Sequence, residues 1–593
     1  MLDFRNETIY FIVIDRFFDG DLKNDMAKDS DMFDKTKTDW WKYWGGDLRG
    51  IIKKLDYLKE MGITAIWITP VFDQIDHGIG ETGHKMAPYH GYWAKDFKRI
   101  DKHLVDKDDD IRVFKNNNTV FDELIKELHK RGMKLILDIV CNHSNPHTAG
   151  GRGDLYDDGK LIASYEEDKH NWYHHVGGVE NWNDPEQVQR GDLCGLSDFN
   201  EESYDYRQYI KESMKLWLSK GVDAFRVDTV KHMPVWFWQE FTTDMLTYKP
   251  DIFMFGEWFL GGVYDSLSIN FSNNSGMSML DFSLRQAIED VFAKNYYQGF
   301  YEIVEVLNKD GAFDNANELV TFVDNHDMPR FLSIRDDKDR LRLAINFIMT
   351  ARGIPCIYYG TEQYLHNDNN GGNDPFNRPM MESWDTSTPI YKDISVLAQL
   401  RKINPAVQKG TMFHNYVTSD IYAFSRFYMG NSCLVAINRG NEELITVSQC
   451  HLPDGLYKDI LSDREIQVQN GVTELYLDKN DFQVYSFIAE PLKGDTIITF
   501  QINGYSTSMG ENVYVTGDCP ELGSWDYAKA PRLEYISSNT WALDIPFDES
   551  KNDFIHYKYF VKSDDELIRE NTIGRERLVP NKGNVIWKDK WAD

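Results

Sequence analysis

The sequence predicts an α/β fold: a (β/α)8 TIM barrel with a subdomain inserted after its third strand, followed by two all-β sandwich domains. Three observations predict it. A unit of amphipathic helix, glycine and apolar strand recurs along the first part of the chain. A long irregular stretch, Asn142 to Tyr204, breaks that rhythm after the third strand and is too long for an ordinary loop. Beyond Arg401 the helical period gives way to short alternating strands.

The repeating unit reads IIKKLDYLKEMG then ITAIWITP, FDELIKELHKRG then MKLILDIV, YIKESMKLWLSKG then VDAFRVD, and LRLAINFIMTARG then IPCIYYG. Ile51, Leu55 and Leu58, like Ile210, Met214 and Trp217, fall at helical spacing and give each helix one buried face. Gly62, Gly132, Gly221 and Gly353 stand where a helix end favours positive φ. The strands are apolar without alternation, as parallel strands buried on both faces are. Further strands at 9–14, 253–255, 277–280 and 319–323 bring the number to about eight, which suits a closed barrel better than an open doubly wound sheet. The chain then divides into a first barrel segment (1–141), the insertion (142–203), a second barrel segment (204–404), an all-β domain (405–492) and a second all-β domain (495–593).

Composition narrows the function. Of 593 residues, 95 are acidic and 65 basic, a formal charge of −30, which speaks against nucleic acid and anionic lipid as partners. No run reaches the length of a membrane span. Six cysteines without CxxC or zinc spacing exclude a disulfide framework and make redox or zinc chemistry a poor reading. Aromatic residues make up 14%, which fits large cores or rings that stack on a ligand.

In a barrel of this kind, chemistry gathers at the C-terminal ends of the strands. Those ends carry Asp138, Asn142 and His143; Arg226, Asp228, Lys231 and His232; Glu257; and Asp324, His326 and Asp327. A single acid after a strand is ordinarily a helix cap. Three carboxylates around one mouth, with an arginine and two histidines, ask for another explanation, because isolated buried charge is expensive. Paired carboxyls suit glycoside hydrolysis: one attacks the anomeric carbon while the other protonates the leaving oxygen. A third acid binds hydroxyls and raises its neighbour's pKa. On this division Asp228 is the nucleophile, Glu257 the acid/base and Asp327 the transition-state stabiliser, with Arg226 orienting Asp228.

The segments DIVCNH, GVDAFRVDTVKH, FGEW and FVDNHD resemble the four signature regions of glycoside hydrolase family 13, the α-amylase family. GITAIWITPVF, LCGLSDFN, GIPCIYYGTEQ and YHGYW resemble its secondary regions, in family order across residues 1–400. The resemblance implies α-1,4-glucan substrates and retention of configuration. It implies that Tyr92, with His90 in the same motif, His143, Arg226 and His326 contact the sugar at the cleavage point. Lys231, His232 and Phe259 would serve the acceptor side, and Asp374 and Arg378 the donor side.

Within the family, the chain looks most like the branch that holds cyclodextrin glucanotransferases, maltogenic amylases and related α-amylases. By that resemblance DRFFDGDLKND and WGGD form a calcium loop with Asp19, Asp21, Asn24, Asp25, Gly45 and Asp47 as ligands, and Asn142, Asp198 and the His232 carbonyl hold a second Ca2+. Where the glucanotransferases place a large aromatic in mid-cleft, this chain has Cys194, too small to template a ring. The expectation is therefore an endo-acting α-amylase, with a glucanotransferase or maltogenic amylase as the alternative and a non-catalytic glucan-binding protein more remote.

Residues 495–593 resemble a starch-binding domain of carbohydrate-binding module family 20, which points to Trp525, Trp541, Lys558 and Glu570. At the module's usual second tryptophan stands Arg569. The immunoglobulin-like domain that usually precedes this module in glucanotransferases has no room between 489 and 495. Expected partners are starch, maltooligosaccharides and cyclodextrins, bound by a monomer. No export signal opens the sequence; secretion, with that signal removed, is expected from the starch-binding module and the polymeric substrate.

Overall fold

Eight parallel strands form the barrel: β1 Ile9–Ile12, β2 Ala65–Ile68, β3 Lys134–Ile139, β4 Ala224–Val227, β5 Phe253–Gly256, β6 Ser278–Met279, β7 Val320–Phe322 and β8 Ile354–Tyr358. Their order is β6-β5-β4-β3-β2-β1-β8-β7, and a single parallel bridge between Leu280 and Val320 closes the ring. The computed structural model describes residues 3–80, 85–112, 114–115, 117–147, 151–537, 539–548, 554–563, 566–580 and 582–592.

The helices that alternate with the strands are α1 Leu48–Glu60, α2 Val120–Lys130, α3 Tyr204–Ser219, α4 Val235–Tyr248, α5 Ser266–Asn274, α6 Phe282–Ile288, α7 Lys338–Thr350 and α8 Pro389–Ile403. Local chemistry sets their ends. Asp47 caps α1 through the Gly50 amide, and Thr119 and Asp122 form a reciprocal capping box on α2. Gly62, Gly132, Gly221 and Gly353 all take positive φ, as the helix–glycine–strand pattern requires. The apolar run at 9–14 is shorter as a strand than its composition suggests. After Ile12 the chain turns into a short 3-10 helix, because the Asp15 carboxylate accepts the amides of Trp44 and Gly45.

The irregular stretch after β3 is not a separate lobe. Its hairpin, Leu155–Asp157 with Lys160–Ala163, pairs onto Ala94–Ile100, which pairs in turn with Phe72–Gln74. The loop after β2 and the insertion after β3 thus share one sheet beside the barrel mouth. A second pairing, His143–Pro146 with Leu196–Asp198, fixes the base of the insertion.

Two all-β units follow. In the first, Thr411–Val417, Ile421–Tyr428, Asn431–Asn438 and Asp481–Phe487 form an antiparallel sheet, with two smaller two-stranded sheets packed on it. In the second, a sheet of Glu534–Ser537, Thr540–Phe547, Thr496–Asn503 and Gly583–Lys590 faces one built on Asn512–Gly517 and Phe554–Lys562. This second unit docks against the end of the barrel away from its mouth. Lys409 pairs with Asp544 at 2.6 Å, Lys590 with Asp314 at 2.8 Å, and Thr540 bonds the Asp314 carbonyl at 2.8 Å.

Candidate active site

The barrel register itself brings the charges together. Arg226 on β4 lies beside Asp138 on β3 and Phe255 on β5. Asp228 and Glu257 extend the same ladder, donating their amides to Ile139 and Val227. From the floor of the mouth, the Arg226 guanidinium reaches three carboxylates: Asp138 at 2.9 Å, Asp228 at 2.7 Å and Glu257 at 2.9 Å. Glu257 stands within hydrogen-bonding reach of both Asp228 and Asp327.

Burial and charge separate these acids. Burial pushes Glu257 well above the usual carboxylate range, and the neighbouring Asp327 and Asp228 push further against the opposing Arg226. Its Oε1 is buried and unpartnered. Asp327, partly open to the cleft, is held below the ordinary value: burial opposes ionisation, but His326, Arg378 and Arg226 outweigh it. Burial lowers His326 to about 3 and His232 to about 4, so both rings are neutral at pH 7. The site therefore sets Glu257, whose ionisation is opposed, beside Asp327, whose ionisation is favoured, and a carboxyl that resists ionisation suits a general acid.

The predicted sugar-contacting residues surround this centre. Tyr92 donates to Asp138 at 2.8 Å and meets His326 Nε2 at 2.8 Å, its ring stacked with those of His326 and His90. His143 is buried, with Nε2 unpartnered. Arg378 bridges Asp374 at 3.0 Å and Asp327 at 3.3 Å on one side of the mouth. On the other side, Lys231 and His232 follow β4, and the exposed Phe259 ring leans edge-on against Phe282.

The comparisons with known proteins follow the same lines. The family model of the alpha amylase catalytic domain matches residues 11–389, and that of the starch-binding domain of carbohydrate-binding module family 20 matches 495–588. The chain belongs to the α-amylase family, glycoside hydrolase family 13. A cyclomaltodextrin glucanotransferase of Klebsiella oxytoca is 37% identical over 92% of this chain and 88% of that protein. A solved three-domain cyclomaltodextrin glucanotransferase has 43% identity and a TM-score of 0.76 over 82% of this chain and 99% of its own. An Anoxybacillus α-amylase has 30% identity and a TM-score of 0.69 over 83% and 100%. The chain is thus an α-amylase-family enzyme.

Asp138 holds Arg226, Tyr92 and Trp67 together, and burial raises it to about 7; the site assignment from sequence left it out. Its place opposite Arg226 in the strand register was the available signal. Trp182 was missed as well: its exposed ring lies 6.1 Å from His232, which the family resemblance assigns to the acceptor side. It stands in irregular chain with no local pattern to mark it. Cys194 is exposed, in left-handed conformation.

Among the described residues, no three His, Cys, Asp or Glu side chains by themselves form a metal cluster. Mixed oxygen sets are present. Asp19, Asn24 and Asp25 each keep a buried side-chain oxygen without a partner, and a Cβ on Gly45 would strike the Asp25 and Asp19 carboxylates. Burial and mutual repulsion raise Asp25 to about 7. The Asp21 carboxylate accepts the amides of Lys23 and Lys107, and Asp47 those of Gly20, Asp21 and Gly50. At the second set, Asn142 and Asp198 keep buried free oxygens, joined by Asp192, which sequence reading did not name. His232 lies nearby, its ring bonded to the Val188 carbonyl.

The starch-binding domain corrects two expectations. Trp541 is 6% exposed and packs in the core, and the Glu570 carboxylate is buried under two bonds from Arg575 and the amides of Tyr559 and Ala592. Alternation along Thr540–Phe547 turns Trp541 inward, so neither residue is presented to a sugar. Trp525, 41% exposed, has the Lys558 ammonium 5.8 Å from its ring and stays at the surface. Beside it, Arg569 lies over Tyr527 at 5.2 Å.

Proposed function

We propose that the protein is a cyclomaltodextrin glucanotransferase: it cleaves an internal α-1,4 bond of starch and returns the glycosyl group to a sugar hydroxyl, closing a ring when that hydroxyl lies on the same chain. In this reading the Asp228 carboxylate attacks C1 as Glu257 protonates the departing 4-oxygen. Glu257 then removes a proton from the acceptor 4-OH, which displaces Asp228. Asp327 binds ring hydroxyls and keeps Glu257 protonated, while the neutral His326 and His143 bind hydroxyls without adding charge.

The observation that carries the choice of acceptor is the pair of exposed rings, Trp182 and Phe259, at the acceptor side. Such rings hold an incoming sugar and displace water from the glycosyl–enzyme. The near full-length likeness to glucanotransferases supports the same reading. We therefore rank the hydrolytic expectation second. Cys194 is the observation that still favours hydrolysis, because a small side chain in mid-cleft leaves room for water.

Incubation with soluble starch and chromatography of the products decides between them. Cyclic, non-reducing oligosaccharides are expected; purely linear reducing products would establish the α-amylase. Two Ca2+ ions belong to the proposal: one at Asp19, Asn24 and Asp25 with Asp21, Gly45 and Asp47 around it, the other at Asn142, Asp198 and the His232 carbonyl. Unpartnered oxygens suit a hard cation, whose part would be structural, pinning the loop and the insertion beside the cleft. Action outside the cell, where the polymer is met, completes the reading.

A further inference from the structure

A second aromatic cluster lies on the rim of the mouth, outside the site described above. Tyr204 is the first residue of α3 and is 64% exposed; Trp236 is the second residue of α4 and is 43% exposed. Arg207, one turn along α3 from Tyr204, projects between them. Its guanidinium carbon is 6.0 Å from the Tyr204 ring and 5.6 Å from the Trp236 ring. The side chain is fixed: NH1 donates to the carbonyls of Glu201 (2.7 Å) and Glu202 (3.0 Å), and Nε pairs with Glu240 at 3.2 Å. Glu240 also takes Lys211 at 2.5 Å, so each cation of the patch has an anionic partner. Among the described residues, Arg207 NH2 has no hydrogen-bond partner.

From this geometry we infer a surface binding site for an α-glucan chain, built by Tyr204, Arg207 and Trp236. Two rings flanking a rigid guanidinium offer apolar faces for the C–H faces of sugars and a planar donor for hydroxyls. A neutral ligand suits a patch whose charges are already paired. Position points the same way. Both helices begin at the mouth of the barrel, Trp236 comes four residues after His232, and the Glu201 carbonyl that holds Arg207 comes three residues after Asp198. A glucan leaving the acceptor side would pass over this rim. The inference rests on the family's α-1,4-glucan substrates and holds whether the product is cyclic or linear.

The test uses the full chain. In a Glu257→Gln, Trp525→Ala background, which blocks turnover and weakens the C-terminal module, retardation by soluble starch in native gels is compared with and without Tyr204→Ala and Trp236→Ala. Adding the pair is expected to weaken the remaining affinity about three- to tenfold. In the active enzyme, the ratio of kcat/KM on soluble starch to kcat/KM on maltotriose is expected to fall by a similar factor. Unchanged affinity and ratio would overturn the site. So would equal losses on both substrates with a lower melting temperature, which would make the rings a brace between α3 and α4. Unchanged starch affinity with loss of a concentration-dependent dimer would assign the patch to a second copy of the chain instead, as Trp, Tyr and Arg also dominate protein interfaces.

Discussion

Glu257 and Glu570 are both buried glutamates, one in the barrel mouth and one in the starch-binding domain, and their surroundings give them opposite roles. Glu570 has each oxygen occupied: Arg575 binds both, and the amides of Tyr559 and Ala592 complete the shell. Glu257 has one contact to Arg226, a bare Oε1, and two acids for neighbours. A saturated carboxylate is architecture, because nothing is left with which to meet a ligand. An unsaturated one, placed where ionisation is opposed, keeps a proton available for transfer.

The comparison is sharpest in a pair of substitutions. Glu257→Gln is expected to reduce kcat on soluble starch about a thousandfold or more while leaving the melting temperature nearly unchanged. Glu570→Gln should do the reverse, retaining kcat on short oligosaccharides but destabilising the C-terminal domain by about 3–5 kcal/mol, as breaking a buried ion pair does. Calorimetry and initial rates on the two variants measure both. If Glu570→Gln lost activity on short substrates at full stability, the contrast would fail.

The bare oxygens of Asp19, Asn24 and Asp25 extend the comparison to sites filled from solution. Chelation with EDTA is expected to lower the melting temperature by several degrees, restored by added Ca2+. An unchanged transition would mean that these oxygens serve no cation.

The smallest expected effect is a shift of a pH profile. Glu257 must be protonated to act as an acid, so kcat/KM is lost as pH rises through its raised pKa. The Asp327 charge contributes to that elevation. Asp327→Asn removes it, and besides lowering the rate should move the alkaline limb to lower pH, by about one unit. A limb that stayed in place would show that burial and Asp228, without Asp327, set the Glu257 pKa.

Much of this was legible beforehand. Helical spacing at Ile51, Leu55 and Leu58, the glycines at helix ends and the unbroken apolar strands announce a parallel barrel, since each is a local consequence of the fold. Asp228, Glu257 and Asp327 could be picked out because barrel topology brings strand ends to one mouth. Trp182 could not: it lies in irregular chain, and only the folded insertion sets it beside His232. The joint sheet of Phe72–Gln74, Ala94–Ile100 and the hairpin after Leu155 was equally hidden, because its pairings are remote in sequence and short.

By itself, then, the sequence determined which elements form and which acids face one cavity, for these follow from periodicity and order along the chain. Tertiary structure decided which of the buried polar groups are satisfied. Arg575 closes around Glu570, Trp541 turns into a core, and Glu257 is left between two carboxylates. Satisfaction depends on partners that arrive from distant parts of the chain, and spacing along the sequence carries no record of them.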